Sequence, residues 1–473
     1  MHLKISEILK MTDGRLISGN PEICVESFST DTRHIKPGDF FIGLKGENFD
    51  GSLFAPEAFK MGAIGVMVNK VPEGIDLSPD KNCVVVEDPL RALGDLAALW
   101  RQKKNPGVVA VMGSSGKTTT REMIVHLASS RFALTATKGN NNNAIGLPLT
   151  LFDMDDNTDV AVVELGMNAV GEMRRLGEIS DPDFLVVTNI GRAHIGMFGS
   201  REGLIRAKAE IFDSLRPECL LITNVDCPYT SAFLKHARHK HPRFTYGAQR
   251  DAHIRATDIQ SLSLETYQFS LFIDDQEWGV MRIPLFGRFN VYNALAAISA
   301  LYAMGMDMDA IGEDIQRFIP ARMRSETHHI NGVRIISDCY NANPDSVTQA
   351  LYSLREGITP GKTTVVLGDM LELGADEEKY HKEVGALFAD LDVDLLITYG
   401  KLSSLASEEA ASWGQTVYHA QTHEEIASFL LDRISPGDAV LIKGSRRMQL
   451  ENVVRMVKDF LGSHDLVAQE KET

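Results

Sequence analysis

Val108-Val109-Ala110-Val111-Met112-Gly113-Ser114-Ser115-Gly116-Lys117-Thr118-Thr119-Thr120 is the stretch whose reading decides the fold. A continuous apolar run fits a strand buried on both faces. A glycine turn follows, then a helical pattern with Met123, Ile124, Leu127 and Ala128 on one face. Strand, glycine turn and helix together make an anion site: glycines let backbone N–H groups approach a phosphate, and the helix N-terminus adds partial positive charge. Lys117 is placed to reach terminal phosphates and Thr118 to bind Mg²⁺. The general phosphate loop has four residues between its glycines, whereas here only Ser114 and Ser115 separate Gly113 from Gly116. The competing reading is a glycine turn without a ligand. Gly-Lys-Thr-Thr after a buried strand speaks against it.

Outward from this loop the rhythm is regular. Asp159–Leu165, Phe184–Thr188 and Cys219–Thr223 are further apolar runs separated by helical patterns, which predicts a largely parallel sheet. Upstream, Asp39–Leu44 and Ala63–Val68 alternate with turn signals, and a helical stretch Pro89–Arg101 ends in Gln102–Gly107. Beyond Ile319-Pro320 the rhythm restarts with Val333–Ser337, Thr364–Leu367, Asp394–Thr398 and Ala439–Lys443. The expected fold class is α/β in three domains: a small α/β unit (1–104), a central P-loop ATPase unit with a parallel sheet (105–319) and a Rossmann-like unit (320–463). A polar tail (464–473) is expected to fray. Ligands of such sheets bind beyond the carboxyl ends of the strands. Gly113, Glu164, Asn189, Asp338, Asp369 and Gly444 all sit there.

Composition narrows the function. The 473 residues carry 48 Lys plus Arg against 64 Asp plus Glu, a net charge of −16, so no sequence-independent nucleic-acid surface is expected. No run of about 18 apolar residues is present, so no membrane insertion is expected. The five cysteines are scattered without a C-x-x-C pair, as reduced thiols in a cytoplasm would be. The start reads as no signal peptide.

One lysine is misplaced for a surface helix. In Arg201–Leu215, residues Leu204, Ile205, Ile211, Phe212 and Leu215 form an apolar stripe, and Lys208 lies in its middle. A buried ammonium must be paired, neutralised or modified, unless it snorkels to the rim. Glu164 at a strand end is equally costly unless partnered. Beside a Mg²⁺-nucleotide, Thr118, Glu164 and His194 form a candidate metal shell, although Mg²⁺ prefers oxygen and a histidine there needs special context.

At this point the chain resembles the Mur ligases, ATP-dependent enzymes of bacterial peptidoglycan synthesis, over nearly its whole length. The motifs that carry the resemblance are Ser29–Arg33, Leu44–Gly51, Gly113–Thr120, Gly139–Pro148, Glu164–Asn168, the Lys208 helix, Gly287–Asn293, Asp338–Pro344, Gly368–Gly374 and Lys443–Arg446. The resemblance implies that Ser29, Asp31, Arg33, Lys45, Gly46, Phe49 and Asp50 contact a uridine nucleotide. It implies that Asn140, Asn142 and Asn143 also bind substrate. Gly113, Ser114, Ser115, Gly116, Lys117, Thr118, Thr119, Asn290, Asn293, Arg324 and Asp338 would hold ATP. Tyr340, Asn341 and Asn343 would hold a D-alanyl-D-alanine dipeptide. The Asp-Asn-Pro-Arg-like motif of the members that add the third amino acid is not found.

The implied chemistry joins that dipeptide to a UDP-N-acetylmuramoyl-tripeptide through an acyl phosphate. Lys117, Glu164, His194 and Lys208 are the implied catalytic residues. Thr118, Glu164, His194 and a carbamylated Lys208 are the implied ligands of two Mg²⁺ ions. A cytoplasmic monomer is expected. A folyl-polyglutamate synthetase, another Mur ligase and a non-catalytic ATP switch are the alternatives. Two positions depart from the family pattern, Phe289 and Ser52, where histidine is usual.

Overall fold

The structure is a computed structural model that describes residues 2–46, 49–193, 195–357 and 359–469, with side chains to 462. His194 therefore lies outside the described residues. Three main sheets organise the chain. The first has five strands, from Arg15–Ser18 at one edge through Asn82–Val85, Gly65–Val68 and Phe40–Ile42 to Phe28–Ser29. The second has nine, with Gly107–Met112 inside, flanked by Val160–Glu164 and Phe184–Val187 in parallel. The third has six, with Ala439–Lys443 between Val333–Asp338 and Thr363–Gly368.

The predicted runs all appear as strands, shifted by a residue or two at their ends. The central sheet is parallel from Leu134–Ala136 to Arg243–Gly247. Ile254–Ser263 joins it in parallel, and Thr266–Ile273 and Gln276–Ile283 then add antiparallel pairings, an extension that the sequence reading did not separate. These strands alternate buried and exposed residues, as expected where one face meets solvent. The turn between the first two reaches the C-terminal unit. Its Leu264 is buried in a cluster with Val347, Leu351 and Leu354.

The helix Pro89–Lys104 starts on an Asp88 cap, with proline in its first turn, and ends on Asn105 in the left-handed region (φ 49°). It closes the first unit yet packs on the second. Trp100 Nε1 donates to the Met154 carbonyl at 3.1 Å, and Arg101 pairs with Asp181 at 2.5 Å. One apolar cluster accordingly runs from Leu3 and Phe40 through Trp100 to Leu185 and Phe212. The last helix, Glu451–Gln469, keeps its backbone helical past 463, where the reading of the sequence placed a frayed tail. Val453, Val454 and Val457 anchor its start, and no proline stops its propagation.

Trp100→Ala should destabilise the chain by about 3–5 kcal/mol, because it empties a large buried site and leaves the Met154 carbonyl without its donor. A urea midpoint unchanged from the parent would show that the two units do not depend on this contact.

Candidate active site

The phosphate loop folds as its glycines require. Gly113 has φ 147° and Gly116 φ 80°. A Cβ at Gly116 would lie 2.2 Å from Asn293 Oδ1, so only glycine fits against that helix. The segment after the Phe184–Val187 strand braces the loop. Ser115 N–H donates to Asn189 Oδ1 at 3.0 Å, Thr188 Oγ1 donates to the Ser115 carbonyl at 2.6 Å, and Gly191 N–H donates to Ser114 Oγ at 2.8 Å.

Two ammonium groups converge on one acceptor. Lys117 Nζ and Lys208 Nζ each donate to the Gly113 carbonyl at 3.1 Å. Lys208 is 4% exposed, on a helix that runs Arg201–Ala209 before tightening to a 3₁₀ turn over Glu210–Asp213. Burial, and then the charge of Lys117, pull its pKa down to about 7. Burial lowers the Lys117 pKa too, with Glu164 opposing and Arg324 adding to the fall. Lys117 is half-buried.

Glu164, 2% exposed, ends its strand facing the loop. Its carboxylate accepts from Thr118 Oγ1 at 2.8 Å, Asn142 Nδ2 at 2.8 Å and Arg121 Nη1 at 3.5 Å. Arg121 is the functional residue the sequence reading missed. It is 1% exposed and also donates to the Gly139 carbonyl at 3.2 Å. Its position four residues after Lys117 put it on the helix face below the loop, and that was the available signal.

These groups line a cleft of about 880 Å³ between the second and third sheets. Gly113 through Thr119, Asn140, Asn142, Glu164, Lys208 and Asn293 face it from the central unit; Arg324, Asp338, Tyr340, Asn341 and Asn343 face it from the C-terminal unit. The Arg324 guanidinium stacks 4.0 Å over the Tyr340 ring. Asp338 accepts from buried Lys443 Nζ at 2.6 Å. Asn343 caps the Pro344–Glu356 helix, accepting from Ser346 N–H at 3.0 Å, while its Nδ2 reaches Ser115 Oγ at 3.4 Å.

Other candidates lie elsewhere. Asn290 is buried and donates to the Phe286 carbonyl at 2.8 Å. Asn143 caps the Gly146–Phe152 helix through Gly146 N–H at 2.9 Å. Ser29, Asp31, Arg33, Lys45, Gly46, Phe49 and Asp50 belong to the first unit and do not line the cleft. There Asp31 grips Arg33 Nε and Nη2, at 2.9 and 2.6 Å, and these bonds hold the Asp31 carboxyl at about 2. Phe49 is exposed, as is Arg33.

A glycine phosphate loop, two lysines and a buried carboxylate, closed over by a second sheet, define a nucleotide-using P-loop protein with its cleft between units. The chain belongs to the Mur ligase family. Residues 25–101 match the catalytic domain of the family, 111–301 the Mur ligase middle domain, and 322–446 the glutamate ligase domain. The chain is 35% identical over 458 residues to the UDP-N-acetylmuramoyl-tripeptide–D-alanyl-D-alanine ligase of Bacillus subtilis, covering 95% of this chain and 97% of that one. To the Escherichia coli protein of the same name it is 34% identical, covering 96% and 98%. Among solved structures, MurF from Acinetobacter baumannii superposes with TM-score 0.89 at 30% identity, covering 97% and 99%. MurF from Thermotoga maritima in complex with ADP gives 0.82 at 26%, covering 93% and 99%.

Lys117→Ala should leave the circular dichroism spectrum intact and cut ATP-dependent phosphate release on the order of 10²–10³-fold, the scale for losing one preorganised charge at a reacting centre. Parent-like turnover would remove Lys117 from the site.

Proposed function

We propose that the chain joins D-alanyl-D-alanine to UDP-N-acetylmuramoyl-tripeptide, converting ATP to ADP and phosphate. The observation that carries this reading is the pair of lysines on the Gly113 carbonyl opposite Glu164, in a cleft that both units line. The tripeptide's terminal carboxylate attacks the γ-phosphorus, and the bond to the ADP oxygen breaks. The amine of the dipeptide then attacks the acyl carbon; the C–O bond to phosphate breaks and the nitrogen loses a proton. Two anions must meet in the first step, so the chain's task is to position and neutralise them. Lys117 and the helix N-terminus face the phosphates. Arg324, stacked on Tyr340, brings a further cation from the C-terminal unit. Water excluded from the cleft cannot intercept the acyl phosphate.

Thr118 and Glu164 fit a magnesium ion by their chemistry: a hydroxyl and a carboxylate oxygen 2.8 Å apart, with Arg121 and Asn142 orienting the carboxylate. The metal would supply charge neutralisation at the phosphates. His194 completes the expected set. Lys208 is assigned as a carbamate: its amine nitrogen bonds to the carbon of CO₂ and releases a proton. Burial favours the neutral amine this requires, and a negative group beside Lys117 turns repulsion into attraction. Asn293 and Asp338 would flank the nucleoside, and Tyr340, Asn341 and Asn343 the dipeptide. In the first unit, Arg33 keeps Nη1 for a diphosphate while Asp31 holds its other nitrogens; Ser29, Lys45, Gly46, Phe49 and Asp50 complete that subsite.

The reaction is tested by incubating the chain with ATP, the UDP-tripeptide and D-alanyl-D-alanine. UDP-pentapeptide, ADP and phosphate in equal amounts are expected. ATP hydrolysis without peptide product would reject the ligase reading.

Lys208→Ala should lose most activity, and an added short carboxylic acid should restore part of it. Lys208→Arg should not substitute, because it brings a cation where an anion is required. In the parent at fixed dissolved CO₂, a ¹³C carbamate signal should grow as pH rises through about 7, since deprotonation supplies the reactive amine. Full activity in Lys208→Arg, or a pH-independent absence of that signal, would reduce Lys208 to a counter-ion.

A further inference from the structure

Arg192 sits three residues beyond the loop-bracing Asn189 and crosses to the C-terminal unit. Its backbone N–H donates to Asp345 Oδ2 at 2.6 Å and its Nε to Asp345 Oδ1 at 2.7 Å. Its Nη1 reaches Glu383 at 2.9 Å, and its guanidinium lies 5.2 Å over the Tyr380 ring. Asp345 is in the first turn of the helix that Asn343 caps, two residues beyond the cap. Gly191, next to Arg192, donates to Ser114 of the phosphate loop, and Asn343 reaches Ser115 of the same loop. A closed circuit of hydrogen bonds therefore joins the phosphate loop to the segment Tyr340–Asn343. A carboxylate taking one backbone and one guanidinium donor fixes direction as well as distance.

We propose that Arg192 is a positioning residue: by holding Asp345 it sets the Tyr340–Asn343 segment against the phosphate loop, so that the incoming dipeptide amine meets the acyl carbon. The inference rests on the ligase reading above. Arg192 and Asp345 line the cleft, but the guanidinium is engaged by Asp345 and Glu383 and not by Thr118, Glu164 or Lys208. Its loss should therefore weaken the dipeptide side selectively.

The test is steady-state kinetics on the full chain with Arg192→Ala, Arg192→Lys, Asp345→Asn and the double variant Arg192→Ala/Asp345→Asn. Arg192→Ala and Asp345→Asn should each raise KM for D-alanyl-D-alanine about tenfold, the scale of one lost charge-assisted contact, with KM for ATP within about twofold. The double variant should be no worse than Arg192→Ala alone, because the Asp345 contact is then already broken. Lysine keeps the charge without the planar fork, so Arg192→Lys should show the same split at smaller amplitude; it also serves where the alanine variant fails to fold. Equal rises in KM for ATP and dipeptide, additive losses, or no split in the lysine variant would overturn the proposal. Absence of peptide product from the parent would instead overturn the ligase reading.

Discussion

Two lysines donating to one backbone carbonyl set the terms for everything around them. Lys117 and Lys208 are both pulled toward neutrality by burial, and the charge of Lys117 lowers Lys208 further. Such a pair is tolerable where an anion or a modification answers it, or where one amine gives up its proton. The chain as a whole is acidic, at −16, so this local positive field is built against the average. Glu164 offsets it in part, opposing the fall in the Lys117 pKa, while Thr118, Asn142 and Arg121 hold that carboxylate in place. Arg121 and Lys443 are each paired with carboxylates, whereas Lys117 and Lys208 share a carbonyl.

Much of the fold was legible because parallel strands are apolar on both faces and announce themselves as short continuous runs. The phosphate loop was legible because glycine spacing, lysine and threonine have one joint use. Lys208 was legible as a charge in an apolar stripe, and its burial bears that out. The three antiparallel strands from Ile254 to Ile283 were not, because their alternation is interrupted. Register shifts fall between Thr257 and Gln260 and again between Ser261 and Ser263. Arg121 was hidden by its own chemistry: arginine in a sequence reads as surface, and its burial rests on Glu122, the Gly139 carbonyl and Glu164, two of them distant in sequence.

The asparagines show the same limit from the other side. Their amide can accept or donate in many settings, so sequence position alone cannot separate a ligand contact from a helix cap. Asn343 caps a helix and also approaches the phosphate loop; Asn143 caps another helix; Asn290 turns inward to Phe286. Asn142 and Asn293 remain on the cleft. The two departures from the family pattern resolve as packing and pairing. Phe289 packs edge-on to Phe286, with centroids 6.3 Å apart, against the core of the C-terminal unit. Ser52, fully buried, donates to Asn69 Oδ1 at 2.7 Å inside the first unit.

The contacts between the second and third sheets are of two kinds, and the difference has a consequence. On one side Leu264, Phe286 and Phe289 join an apolar cluster of the C-terminal unit. On the other, Arg192 holds Asp345 and Glu383. Apolar contact is non-directional and survives small rotations with little loss. A hydrogen-bonded ion pair depends on distance and angle and is lost within an ångström or so of displacement. Directional contacts are present at both edges: Arg192 with Asp345 and Glu383 beside Ser114 and Ser115, and Glu265 with His329, plus Arg288 N–H to Ser353 Oγ, beside the apolar cluster. Beside the phosphate loop, the segment Tyr340–Asn343 is fixed by hydrogen bonds whose strength depends on distance and angle, through Asn343 to Ser115 and through Asp345 to Arg192.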